Sequence, residues 1–419
     1  PVEGHFNPFV PIIKKLVEKG HEVVCSSGRI FKHKIENLGA EFIPIPEKWD
    51  PGEKEIYDFF PELKQKKGLS QLKYYLKHVM LDSVPDSIEL LHTFLKSFPA
   101  DVVISDNFIV AGSWITQLGG PPNVKLSVLP MSLPGKNLAP FGLGLLPGKT
   151  FFTRLINNLL NAIFDKLLYG EIHNYINQVR EKVGLLPYEK DFRVTGFESS
   201  NLHLHMSITS FEYARNRFPD SLRFIGPVIV APQMEYEKPV WWNKLGQDLP
   251  VVLINQGTVA KDPKELIHPT IEALKDENLL VIAVPLDKSE IKNLPGNVYA
   301  ENYIPFGNIL PHVSLMITNG GFGGTQNALA YGIPVVIAGA TEDKMEVAAR
   351  LENTGAGINL RKRKPSPKII KKAVKKILAD PLYKKRAMEL KKEYAKYDAP
   401  TLAVNLIEEL ILNINNVRE

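Results

Sequence analysis

Apolar and polar positions along this chain keep switching between a helical and a strand rhythm. Asn7-Pro8 followed by Ile12, Ile13, Leu16 and Val17 predicts a helix with Asn7 as its cap, Pro8 at its first position and a stop at Gly20. Residues 22–26 then read as a strand. A helix that feeds a strand in this way completes a right-handed βαβ unit, which predicts a further strand ahead of residue 1. DVVISD (101–106) and VKLSVLP (124–130) read as short buried parallel strands. LLPGKTFFTRLINNLLNAIFDKLLYG (145–170) predicts a long amphipathic helix. Its stripe suits either the protein core or a membrane surface, and with only three Lys or Arg before Tyr169 the core is the expected neighbour. Residues 227–246 are rich in Pro and aromatics, lack a period and read as a linker. A second strand–helix series follows, with VVLIN (251–255), LLVIAVP (279–285), LMIT (315–318) and PVVIAG (334–339). The fold class is therefore α/β: two Rossmann-like doubly wound domains, 1–226 and 247–400, facing a cleft.

Composition narrows the function. At 419 residues, 44% apolar and 23% charged, the chain is long enough for two or three ordinary domains. Fifty-one basic against 46 acidic residues leave only +5, and no aromatic-interleaved basic stripe points to nucleic acid. The uncharged stretch 107–124 is too rich in Gly, Pro and polar residues to span a bilayer. A single cysteine, Cys25, excludes an internal disulfide framework and fits a reducing cytoplasm. His203 and His205 alternate as a metal pair would, but no third ligand stands at suitable spacing, so they read as one face of a strand and no metal is expected. RKRKPSPKIIKKAVKK (361–376) reads as a helix with Ile369, Ile370, Ala373, Val374 and Ile377 inside and lysines in solvent.

The strongest local signal lies within 302–341, forty residues without Asp, Glu, Lys or Arg. Four of residues 320–324 are Gly, directly after a predicted strand and directly before the predicted helix TQNALAYG. Such a turn lets a backbone approach a ligand, and the helix end offers free N–H groups for a diphosphate; a plain flexible turn is the other reading. The pattern is neither G-x-G-x-x-G nor a P-loop. A second polar turn, Gln256-Gly257-Thr258, also sits at a strand's carboxyl end, where ligands gather in open α/β sheets.

TNGGFGGTQNALAYGIPVVIAGATEDKMEVAAR resembles the donor-binding signature of the family 1 glycosyltransferases of the GT-B fold. It is most similar to their bacterial macrolide- and secondary-metabolite-type members. GHFNP, SDNF, APFGLGLLP, the GPV linker and YIPFGNILPH follow that family in order and spacing. The resemblance implies an acceptor-binding first domain, a nucleotide-sugar-binding second domain and a last helix, 401–419, crossing back onto the first.

It also implies roles. His5, in the loop opening the first helix, matches the general base, and Asp106 the carboxylate that orients it. Gly257 and Thr258 match one phosphate-contacting turn; Asn319, Gly320, Gly321, Gly323, Gly324 and Thr325 match the other. Tyr303 stands where a Trp often stacks on the nucleobase, with the Ile304 backbone pairing to the base edge. Asn327 replaces the usual ribose-binding Glu, Asn319 a phosphate-binding His, and Lys344, after Asp343, a sugar-gripping Gln. Trp114, Met131 and Phe141 are expected to line a hydrophobic acceptor pocket. The implied activity is inverting, metal-independent transfer of a sugar, without a cofactor, from a UDP-sugar, with TDP-sugar as the second choice, to a hydroxyl of a small hydrophobic acceptor. The protein would act as a monomer or weak dimer. The alternatives are a nucleotide-sugar epimerase of the same architecture and a non-catalytic nucleotide-sugar-binding protein.

Overall fold

VVLIN and LMIT are apolar at almost every position, as strands covered on both faces must be. In the computed structural model they form the middle of a parallel sheet. The structure describes residues 3–246, 248–257, 262–341 and 343–418.

In the first half, helical turns begin at Glu3 and run into α1 (Val10–Glu18), which buries Ile12, Ile13 and Leu16 and stops before Gly20 at φ +87°. Asn7 is not a cap: it lies inside this run, and its Oδ1 accepts from Lys34 Nζ at 2.6 Å. His5 consequently stands on a helical turn rather than in a loop. Strands β1 (Val24–Ser27) and β2 (Glu41–Pro44) pair with each other. Strands β3 (Val103–Asp106), β4 (Asn123–Ser127), β5 (Leu202–His205) and β6 (Leu222–Phe224) form a second parallel sheet in that order.

Between β4 and β5 lies α2 (Phe151–Phe164), capped by Thr150, whose Oγ1 accepts from Thr153 N–H. The helix is where the pattern predicts it, but it faces the other way. Phe151 and Phe152 are each 74% exposed, and Leu155, Ile156, Leu159 and Ile163 are exposed with them. The face turned inward carries Asn157 and Asn161. Asn157 Nδ2 donates to the carbonyls of Asn137 and Leu146, and Asn161 Nδ2 to that of Leu138. The irregular segment beneath the helix has carbonyls that need donors, and satisfying them outranks burying the stripe.

In the second half, β7 (Val251–Asn255), β8 (Leu280–Val284), β9 (Val298–Ala300), β10 (Leu315–Thr318), β11 (Val335–Ile337) and β12 (Gly357–Asn359) stand in the order β12-β11-β10-β7-β8-β9. The order reverses between β7 and β10, which creates a crevice beyond their carboxyl ends. Helices α3 (Phe322–Ala330) and α4 (Lys344–Thr354) follow β10 and β11, and α5 (Pro367–Ala379) covers the opposite face with Ile370, Ala373, Val374 and Ile377. Ile369, expected inside, is 38% exposed. Trp241 and Leu245, at the end of the linker, pack into the core of this half. The last helix, α6 (Ala399–Arg418), returns to the first half. Its Ala403, Val404 and Ile407 lie against Ile12, Leu16 and Leu204, and Glu408 pairs with Lys19 and His21.

Candidate active site

Asp106 ends β3, and one of its oxygens accepts from the N–H of Phe108, which fixes the carboxylate at the strand's tip. The other oxygen lies 2.7 Å from Nδ1 of His5. A carboxylate at this distance holds Nδ1 as the protonated nitrogen and leaves Nε2 as the basic one. Burial on its own would lower the His5 pKa. The hydrogen bond and charge of Asp106, joined by the charge of Asp343 from the second half, outweigh it and hold His5 above its ordinary 6.5. His5 and Asp106 thus meet although 101 residues separate them, and the charge of Asp343, 237 residues beyond Asp106, acts on the same ring.

Across the cleft, the pairing of Thr318 with Asn255 sets the turns after β10 and β7 side by side. Asn319 is buried, and its Nδ2 donates to the Gln256 carbonyl, so the amide ties the two turns together. A Cβ on Gly257 would stand 3.3 Å from that amide, and Gly257 has φ +78°, so glycine is required there twice over. Thr258 lies outside the described residues. Gly320 also has positive φ, and a Cβ on Gly339 would overlap the Asn319 carbonyl, which presses the loops after β10 and β11 together. Gly321 precedes α3, and Gly321 and Gly323 face open space. Gly324 looks toward the Phe306 ring. In the first turn of α3, Thr325 Oγ1 is buried with no hydrogen-bond partner among the described residues. Free N–H groups, open glycines and an unsatisfied hydroxyl at a helix start suit an anionic group. Asp343 and Lys344 open α4, and the Lys344 ammonium reaches toward Thr341 Oγ1 at 3.5 Å.

Two expected residues stand differently. Asn327 is turned toward the linker: its Oδ1 accepts from Val230 N–H, and its Nδ2 donates to the carbonyls of Val228 and Gly323. Trp114 belongs to the core. It is fully buried among Leu168 and Ile172, its Nε1 donates to Tyr188, and the Arg180 guanidinium stacks on its ring. A large apolar residue on a helix behind the sheet serves the core first. Tyr303 is 59% exposed, its hydroxyl accepts from Gln233, and neighbouring Ile304 is buried. Met131 and Phe141 do share a cavity, with Leu138, Leu145 and Tyr213.

Behind that cavity lies a buried network that the sequence barely signals. Arg350 Nε donates to Glu212 Oε2 at 2.6 Å and its Nη1 to Glu346 Oε2 at 2.8 Å, while Nη2 donates to the Met131 carbonyl. Glu212 Oε1 accepts from Met131 N–H and lies 3.1 Å from His205 Nε2. Glu346 Oε1 accepts from the N–H groups of Gly142 and Gly144 at 2.8 and 2.9 Å. The two halves are thus joined by charge-assisted bonds. The i, i+4 spacing of Glu346 and Arg350 is the one sequence signal, and it ordinarily marks a solvated pair. His203, buried and stacked on Phe197, has no described group of potential metal ligands around it.

The site can now be set beside known proteins. Residues 270–410 match the family described as erythromycin biosynthesis protein CIII-like, C-terminal domain. The chain is 35% identical to the 4'-demethylrebeccamycin synthase of Lentzea aerocolonigenes over 98% of each chain. It is 30% identical to UDP-glycosyltransferase 2 of Phaeomoniella chlamydospora, over 98% of this chain and 94% of the relative. Among solved structures, the calicheamicin glycosyltransferase matches with a TM-score of 0.75 at 20% identity, covering 98% of this chain and 96% of that one. A spinosyn rhamnosyltransferase complexed with thymidine diphosphate matches at 0.69 and 18%, covering 97% and 98%. The epimerase and binding-only readings fall away, and the chain belongs to the family 1 glycosyltransferases of bacterial type, with the GT-B fold.

Proposed function

We propose that the enzyme transfers a sugar with inversion from a nucleotide-sugar to a hydroxyl of a hydrophobic small molecule. The observation that carries this reading is the His5–Asp106 pair, on which the charge of Asp343 also acts. Nε2 of His5 takes the acceptor's proton as its oxygen bonds to the anomeric carbon. The bond from that carbon to the diphosphate breaks on the opposite side, and Asp106 stabilises the imidazolium. The N-terminus of α3, with Gly320, Gly321, Gly323, Gly324 and Thr325, takes the charge that develops on the diphosphate. Asp343 and Lys344 hold the sugar, Tyr303 and the Ile304 backbone the base. The cavity with Met131 and Phe141 receives the acceptor.

UDP-sugar is the first choice, in keeping with the names of relatives, and TDP-sugar the second, since a related fold is complexed with that diphosphate. Asn327 brings no carboxylate to the ribose, so discrimination between the two should be weak. Free, half-buried Cys25 supports a cytoplasmic setting, and a monomer or weak dimer is in keeping with a cleft closed within one chain.

The test is transfer from UDP-glucose and TDP-glucose to a panel of hydroxylated aglycones, read as diphosphate release and product mass. Product with a β linkage is expected from both donors, with kcat/KM within about tenfold of each other, as befits a difference of ~1.4 kcal/mol or less. Diphosphate release without any glycosylated product would defeat the proposal.

A further inference from the structure

Helix α2 is amphipathic in reverse. Phe151, Phe152, Leu155, Ile156, Leu159 and Ile163 form one continuous exposed face, and Leu167 extends it by a turn. No other described segment of this length concentrates so many exposed large apolar side chains, and soluble chains rarely leave such a patch bare. The helix does not project loosely: Thr150 caps it, and Asn157 and Asn161 anchor its inner face to 137–146. The apolar surface is therefore displayed on a fixed support.

Charge indicates what covers it. Lys149, Arg154 and Lys166 are exposed on or beside the helix, and Lys136 is exposed on the segment beneath it. The one carboxylate between 145 and 169, Asp165, is already paired with Arg193 at 2.8 Å. A second copy of this helix, laid antiparallel, would bring cationic rim against cationic rim and set Lys166 near Phe152 of its twin. An anionic lipid surface meets both requirements at once, accepting the apolar face at the headgroup boundary and the lysines among the phosphates. No described helix is long and apolar enough to cross a membrane, so contact of this kind is peripheral.

We propose that α2 docks the enzyme on an anionic bilayer surface. The cavity of Met131 and Phe141 lies under the same helix, with Asn161 in its wall. The acceptor class that follows is an amphiphile partitioned into that bilayer; this second step rests on the transfer reaction proposed above, whereas docking does not.

Flotation of the purified full chain with vesicles of phosphatidylcholine, with or without phosphatidylglycerol, tests the docking without donor or acceptor. The chain should float with the phosphatidylglycerol vesicles, less so at high salt, and the doubly substituted Phe152→Asp/Leu159→Asp chain should lose at least about tenfold of that binding. Both positions are solvent-exposed, so circular dichroism and turnover on a water-soluble aglycone should stay at wild-type values. Failure of the wild type to float with either vesicle overturns the proposal, as does flotation that the substitutions leave intact. A wild-type dimer that the substitutions split, seen by sedimentation velocity without vesicle binding, would assign the face to a second copy instead.

Discussion

Two clusters of charged side chains flank the cleft, and their surroundings set them apart. His5 and Asp106 remain in reach of water, with side chains 31% and 12% exposed. Glu212, Arg350 and Glu346 are sealed, at 1%, 1% and 5%. In the first cluster burial, Asp106 and Asp343 act on a group whose charge changes near neutral pH. In the second, burial would raise the Glu212 pKa, but the charge of Arg350, supported by His205, holds it down to about 2. Glu212 therefore keeps its charge throughout the ordinary pH range. A protein that needs one histidine to gain and lose a proton must leave it partly wet; one that needs two halves held in register does better with charges that never change.

The largest break in this comparison is His5→Ala. Loss of a positioned base should lower turnover by roughly two to four decades, with donor affinity nearly unchanged because the phosphate turns lie in the other half. Steady-state kinetics with an aliphatic alcohol acceptor checks it, and calorimetry with UDP checks the donor side.

Arg350→Leu addresses the sealed cluster. It leaves Glu212 and Glu346 buried without their cation, at a cost of about 3–5 kcal/mol of stability. A urea titration should show an earlier unfolding midpoint. The double change Glu212→Met/Arg350→Leu should recover part of the loss, since no unpaired charge then remains at 212.

The clusters also answer pH with opposite signs. His5 is raised above 6.5, so its contribution to stability is complete below 6.5 and disappears as pH rises through the folded-state value; the proposed base is the neutral ring, so turnover should fall as pH drops through that same value. Asp106→Asn removes the main opponent of burial. The acid limb of the rate profile should move to lower pH while the maximum rate falls. Glu212 behaves the other way: its contribution is complete above about 4.5 and is lost as pH falls toward 2. Thermal midpoints between pH 3 and 9 should resolve the two trends.

Glu346→Gln makes the smallest change. The amide oxygen can still accept from Gly142 and Gly144, while the pairing with Arg350 loses its charge, so about 1–2 kcal/mol of stability is expected. A loss equal to that of Arg350→Leu would mean that the charge on Glu346, rather than its contacts with the two glycines, carries the junction.

How far the sequence reveals this molecule follows from what each signal depends on. VVLIN and LMIT are legible because a strand covered on both faces has to be apolar throughout, and the glycines at 320–324 because their backbone demands them. Strands β2, β6, β9 and β12 are three or four residues long and at sheet edges or near them, too short to set up a period. The face of α2 is illegible for another reason. Helix α5 has an equally clear stripe and buries most of it, so amphipathicity fixes that a helix has two sides, not which one meets the core. In α2 that choice falls to Asn157 and Asn161, whose partners are carbonyls of distant residues. Glu212 and Arg350 are likewise 138 positions apart and join only once both halves are built.

Glu346 grips the loop of the other half by peptide N–H groups, not side chains. Gly142 and Gly144, at φ +99° and +58°, are obliged to stay glycine, but Phe141 and Leu145, which face the cavity, take no part in the grip. Within this short segment the grip rests on Gly142 and Gly144, and the cavity wall on Phe141 and Leu145. If the cavity receives the acceptor as proposed, new residues at 141 and 145 would re-line it for a differently shaped molecule while the two halves keep their alignment, which gives this chain a route to new substrates at little cost to its architecture.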